Sequence, residues 1–139
     1  MAAAEDERRR ICGIFALGAA HLNVADLNRA VAFYETVIGL RVSERSEEEA
    51  HLGVGEGDVI VLHEVSGARP VSRHSGLYHV ALLFPSQLEL ARAAQRILDT
   101  ATPIQGASDH GTHEAIYLPD ADGNGLELAW DRQPSEWPN

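Results

Sequence analysis

The sequence predicts an α+β fold, two tandem βαβββ modules whose strands make a cupped mixed sheet. The first observation behind this is an internal repeat. His21–Leu40 (HLNVADLNRAVAFYETVIGL) and His79–Leu98 (HVALLFPSQLELARAAQRIL) each open as an apolar strand, pass a capping residue and become a helix. The second is that three short strand-like segments with turn punctuation follow each helix. The third is the Ser/Gly/Arg/Pro-containing stretch Ser66–Gly76, which reads as a linker between the halves. The modules are then residues 14–66 and 76–131 of one domain over 1–139, with an irregular polar tail over 132–139.

Each element has a local cause. In the first helix Asp26 is the expected N-cap, because its carboxylate can accept bonds from the first free backbone N–H groups. Leu27, Ala30, Val31, Tyr34, Val37 and Ile38 recur on one face, and Gly39 supplies the stop. In the second helix Ser86 and Glu89 make an S-x-x-E capping box, and Leu88, Ala91, Ala94, Ile97 and Leu98 form the expected buried stripe. The first-half strands are expected over Arg41–Arg45, Ala50–Val54 and Val59–Val65, the last two joined by Gly55-Glu56-Gly57-Asp58. Those of the second half are expected over Ile104–Ser108, His113–Leu118 and Leu126–Trp130. Asp120-Ala121-Asp122-Gly123-Asn124-Gly125, rich in residues that tolerate positive φ, turns the last pair.

Composition narrows the partners. In 139 residues, 11 Lys and Arg stand against 21 Asp and Glu, a formal charge of −10. Such a surface repels phosphate backbones and anionic headgroups, which argues against nucleic acid and membranes. No apolar run approaches the ~18 residues of a membrane span. Cys12 is the single cysteine, and Met1–Arg10 (MAAAEDERRR) lacks the pattern of a secretory signal, so a cytoplasmic setting is expected. Arg8–Arg10 reads as a solvated arm, and Cys12 has no paired base that would make it a nucleophile.

The opening HLNVADLNRAVAFYETVIGL and the closing DADGNGLEL together resemble the vicinal-oxygen-chelate superfamily, which includes glyoxalase I, bleomycin-resistance proteins and extradiol dioxygenases. Within it, Tyr78-His79-Val80-Ala81, Asp109-His110-Gly111, Ala115-Ile116-Tyr117-Leu118 and the ending Trp130-Asp131-Arg132 with Ser135-Glu136-Trp137-Pro138 are similar to a CatE-like subgroup of catechol 2,3-dioxygenase homologues. The resemblance implies the glyoxalase/bleomycin resistance/dihydroxybiphenyl dioxygenase fold, a divalent metal (Fe(II), or Mn(II)) and a small catechol-like aromatic substrate.

Strand parity sorts the candidates. His79 alternates with Val80, Leu82 and Phe84, and Glu127 with Leu126 and Leu128, so each points away from the helix-facing side. His21 alternates with Leu22 and Val24 in the same way. Two imidazoles and a carboxylate on one cupped sheet would form a facial triad with open positions for substrate. An unpartnered carboxylate within GLELAW would be costly to bury, which favours a ligand role for Glu127. Aligning the modules on their helix caps sets His79 opposite Ala19 and Glu127 opposite Val61. His21 then falls roughly 6–7 Å further along its strand, and stays open between ligand and surface residue.

Glyoxalase I draws a carboxylate from the place of Val61, so by this alignment a glyoxalase-type site is incomplete. His63 matches the place of a second-shell histidine in the extradiol pattern and could move protons; it could equally be an exposed polar residue of an edge strand. His110 and Tyr117 match the substrate-contacting histidine and tyrosine of that pattern, and both can donate hydrogen bonds. His74 and His113 match no position, and His51 reads as a surface residue.

The expected function is thus a metal-dependent extradiol dioxygenase-like enzyme, active as a two-fold homodimer. The alternatives are a metal-free binding protein of the bleomycin-resistance type, which the charge of −10 suits, and a glyoxalase-type lyase or isomerase.

Overall fold

The computed structural model describes residues 17–55, 57–69 and 76–138. Cys12, the Arg8–Arg10 arm, Glu56, and linker residues 70–75 with His74 lie outside the described residues.

The first module runs β1 (Ala20–Val24), α1 (Leu27–Phe33), β2 (Arg41–Arg45), β3 (Glu49–Gly53) and β4 (Asp58–Glu64). The second runs β5 (Val80–Leu83), α2 (Gln87–Asp99), β6 (Gly106–Asp109), β7 (His113–Pro119) and β8 (Gly125–Asp131). Each module folds its strands into a four-stranded mixed sheet, in the orders β1-β4-β3-β2 and β5-β8-β7-β6. In both, the first strand pairs parallel with the last and the others pair antiparallel. The repeat read from the sequence is therefore a repeat of topology.

The helix caps form as their residues require. Asp26 accepts from the backbone N–H of Arg29 at 2.9 Å, and Ser86 from that of Glu89 at 3.2 Å. The capping box of α2 is half made, because the Glu89 carboxylate pairs with Arg92. The first helix loosens into a π-turn over Tyr34–Ile38 and stops at Gly39, whose φ of +91° favours glycine.

The stripe of α2 differs from the expected one. Leu90, Ala93 and Ile97 are buried, whereas Leu88 and Leu98 are exposed. Apolar residues occur around most of this helix, so spacing did not single out the stripe that packs. The tail also differs: β8 continues through Asp131, and Pro134–Glu136 form a 3-10 turn. There the indole N–H of Trp137 donates to the Arg132 carbonyl at 3.1 Å.

One cluster of buried residues draws on both modules, including Leu22, Tyr34, Leu62, Leu90, Leu118 and Leu128. Polar ties cross it. Arg96 of α2 donates to the carbonyls of Val37 (3.1 Å) and Ile38 (2.6 Å), which the end of the first helix leaves free. The hydroxyl of Tyr34, fully buried, donates to Asp120 at 2.9 Å. Burial first, then the Asp120 carboxylate, pushes the Tyr34 phenol well above its ordinary value, which keeps it a donor. Asp122 accepts from the backbone N–H of Ala25 at 2.9 Å and from Arg29 at 3.0 Å. Among the described residues no helix is long and apolar enough to cross a membrane.

Candidate functional site

With Leu22, Val24, Ala50, Leu52, Ile60 and Leu62 turned to the helix, strand alternation sends His21, Glu49, His51, Val61 and His63 to the other face of the first sheet. There Nδ1 of His21 lies 2.8 Å from Nε2 of His63. The two ring planes differ by 14° with centroids 5.1 Å apart, so the rings meet edge to edge, as a hydrogen bond requires. Nδ1 of His63 is 2.8 Å from Glu49 Oε2. Glu49 Oε1 is 2.8 Å from His51 Nε2, and His51 Nδ1 is 2.7 Å from Asp58 Oδ2.

The second sheet places Glu127 at the centre of its corresponding face. Glu127 pairs across β7 with Tyr117 and across β5 with Ala81. Its side chain is 12% exposed, and His79 Nε2 stands 2.9 Å from one carboxylate oxygen. The Tyr117 hydroxyl donates to the other at 2.8 Å. His113 Nε2 approaches that same oxygen at 3.7 Å. The cost of burying a carboxylate in an apolar strand is thus offset by polar partners. Accepting from Tyr117 at Glu127 raises the Tyr117 pKa, burial and the Glu127 charge adding to it, so the phenol remains a donor. His110 Nε2 lies 3.2 Å from the Tyr117 hydroxyl, and its ring stacks on His113 with centroids 4.5 Å apart.

Ladder register agrees with the alignment made on helix caps. Ala20 pairs with Ile60 in the first sheet as Val80 with Leu126 in the second, and Leu22 with Leu62 as Leu82 with Leu128. The buried Leu22 and Leu62 thus answer to the buried Leu82 and Leu128, Ala19 stands in the place of His79, and Val61 in that of Glu127. His21 lies further along β1 on the same face and meets His63 instead.

Among the described residues no three His, Cys, Asp or Glu side chains come close enough to hold one metal ion. The donor types suit a divalent transition metal; within one chain they stand as two separate pairs. Strand parity could have found His113, which shares its strand face with Ala115 and Tyr117, and His51, which shares its face with Glu49. A recess of 220 Å³ borders Tyr78, His79, Gln105, Tyr117 and Gly125. A larger hollow of 660 Å³ lies between α2 and the β6–β7 hairpin, away from these histidines. The smaller one adjoins the polar cluster and is the better candidate for part of a ligand site.

Comparisons with known proteins agree with the fold. Residues 16–128 match the model of the Glyoxalase/Bleomycin resistance protein/Dioxygenase superfamily. A catechol-2,3-dioxygenase of Bacillus subtilis (strain 168) is 38% identical over 124 residues, covering 87% of this chain and 43% of that protein. The chain thus spans less than half the length of that relative. Among solved structures, a glyoxylase/bleomycin resistance protein/dioxygenase domain from Frankia sp. EAN1pec superposes with a TM-score of 0.74 at 20% identity, covering 86% of this chain and all (100%) of that one. A lactoylglutathione lyase from Agrobacterium tumefaciens gives 0.65 at 21% identity, with 83% and 92% covered. The fosfomycin resistance protein FosX of Listeria monocytogenes gives 0.66 at 21%, with 89% and 98% covered. At these identities the structures speak for the fold alone. By family match, relative and topology together, this chain belongs to the Glyoxalase/Bleomycin resistance protein/Dioxygenase superfamily.

Proposed function

We propose that the protein is a metal-dependent, extradiol-type dioxygenase acting on a small catechol-like aromatic. The observation that supports this reading is the contact of His79 with Glu127, an imidazole beside a largely buried carboxylate that Tyr117 and His110 flank. A glyoxalase-type site draws a carboxylate from the place of Val61 on the last strand of its first half, and a valine supplies none. Three imidazoles and one carboxylate leave a 2-His-1-carboxylate set, with one histidine over for proton transfer. The catechol-2,3-dioxygenase relative supports the same choice.

In this reading His21, His79 and Glu127 hold Fe(II), or Mn(II), and the third ligand comes from a second copy of the chain in a two-fold homodimer. When bound, the metal supplies Lewis acidity for two vicinal substrate oxygens and a position for dioxygen. The chain's own residues do the remaining work. His63, set between His21 at Nε2 and Glu49 at Nδ1, is the residue that would move protons. Tyr117 and His110, joined at 3.2 Å, stand beside the recess at His79, where the Tyr117 hydroxyl would turn from Glu127 to a substrate oxygen while His110 donates to it. The apolar members of that wall, Tyr78 and Leu126, suit an aromatic ring.

The test is oxygen uptake with a panel of catechols after anaerobic iron reconstitution. Wild-type protein is expected to consume oxygen and Glu127→Ala to lose that activity. His63→Ala is expected to keep metal and catechol binding while turnover falls by roughly 10²–10⁴-fold. Wild-type uptake no greater than that of Glu127→Ala would remove the dioxygenase reading in favour of a metal-free binding protein.

A further inference from the structure

Gly106, the first residue of β6, has no backbone reason to be glycine. Its φ lies outside the left-handed region, and a Cβ there would meet nothing within 4 Å. Glycine in a strand gives up backbone entropy and packs nothing, and it marks places where a ligand approaches closely. Register shows what lies beside it. Gly106 pairs with Tyr117, and Tyr117 with Glu127. A side chain at 106 would therefore rise on the face that carries the phenol and the carboxylate. Two strand spacings, about 10 Å together, separate the Gly106 backbone from that of Glu127. The recess of 220 Å³ beside His79 extends over Gly106 and along Gln105. A cavity of about 150 Å³ takes benzene, so this one takes a single aromatic ring with a short substituent.

The walls bear on the charge of that substituent. All 11 basic residues of the chain are arginine, and among the described residues none lines the recess. Arg132, just past β8, is tied to Asp109 and Glu114. Gln105 is fixed by its backbone N–H, which donates to the Tyr117 carbonyl at 2.7 Å, and its side chain is a neutral amide that can donate or accept. A ligand carboxylate in the recess would lose water without gaining a cation, and it would share the recess with the Glu127 carboxylate.

We propose that Gly106 is a specificity-determining residue, which leaves room beside Tyr117 for a short, uncharged ring substituent. The ligand class is then a monocyclic catechol with one small neutral substituent and no carboxylate. Turnover of that ligand rests on the dioxygenase reading above; its selection by size and charge rests on the recess.

Oxygen uptake by the iron-reconstituted full chain tests it with catechol, 4-methylcatechol and protocatechuate, the last two alike in shape and different in charge. Wild-type kcat/KM should be about 10–100-fold higher for the methyl compound than for the carboxylate. Gly106→Leu should lower the ratio of methylcatechol to catechol kcat/KM by about 10–100-fold, with Gly106→Ala between. Equal wild-type use of methylcatechol and protocatechuate, or a methylcatechol-to-catechol ratio that Gly106→Leu leaves unchanged, overturns the proposal. Equilibrium dialysis of the same three compounds under nitrogen, against wild-type protein and Gly106→Leu, reads the order without turnover. Binding in the expected order with no oxygen uptake upholds the selection and removes the dioxygenase reading. Binding without that order, or no binding, removes the selection itself.

Discussion

Tyr34 and Asp120 meet in the core and tie the first helix to the β7–β8 turn of the other module. Asp120 also accepts from the backbone N–H groups of Asp122 and Asn124 and from the Asn124 side chain. Tyr34→Phe keeps the ring and removes one donor from a buried carboxylate, so it should cost about 1–3 kcal/mol. Urea unfolding measures this, and a change within about 0.5 kcal/mol would mean the bond contributes little. At the proposed site, residue type and strand parity made His79 and Glu127 legible in the sequence, because an apolar strand makes a polar side chain conspicuous, whereas Tyr117 was reached through the family resemblance. His113 and His51 were harder to read for the opposite reason. Each lies in a mixed polar stretch, and its importance comes from neighbours on other strands, which local sequence does not record.

Elements with local causes match their expected places: the caps at Asp26 and Ser86, the stop at Gly39 and the turn over Asp120–Gly125. What depended on packing between elements was misread, as in the α2 stripe. Register explains one glycine. At Gly125 a Cβ would sit 2.3 Å from the Tyr78 carbonyl oxygen and 3.3 Å from His79 Cβ. Strand β8 therefore approaches the start of β5 as closely as backbone permits, and this approach brings His79 to Glu127. Gly125→Ala should force the strands apart, costing about 1–3 kcal/mol by overpacking and weakening metal uptake. Gly106→Ala is the control, since a Cβ there meets nothing within 4 Å. Equal unfolding midpoints for the two variants would contradict the close approach.

Two modules share one core, while the polar faces of their sheets carry separate clusters around His21–His63 and His79–Glu127, the half-sites of the proposed centre. The two-module repeat was legible because it is written twice in the sequence. How the half-sites combine was not, since that depends on surfaces meeting rather than on any segment. If, as proposed, a His21 half-site and a His79–Glu127 half-site from two chains make one metal centre, it shows in the iron or manganese content of His21→Ala and Glu127→Ala, each alone and refolded together. Wild-type protein should hold about one ion per chain, and each variant alone almost none. The mixture should recover about a quarter of the wild-type content, because half the two-fold dimers are mixed and each of these has one intact site of two. Full metal retention by either variant alone, or no recovery in a mixture shown to contain mixed dimers, would contradict the account.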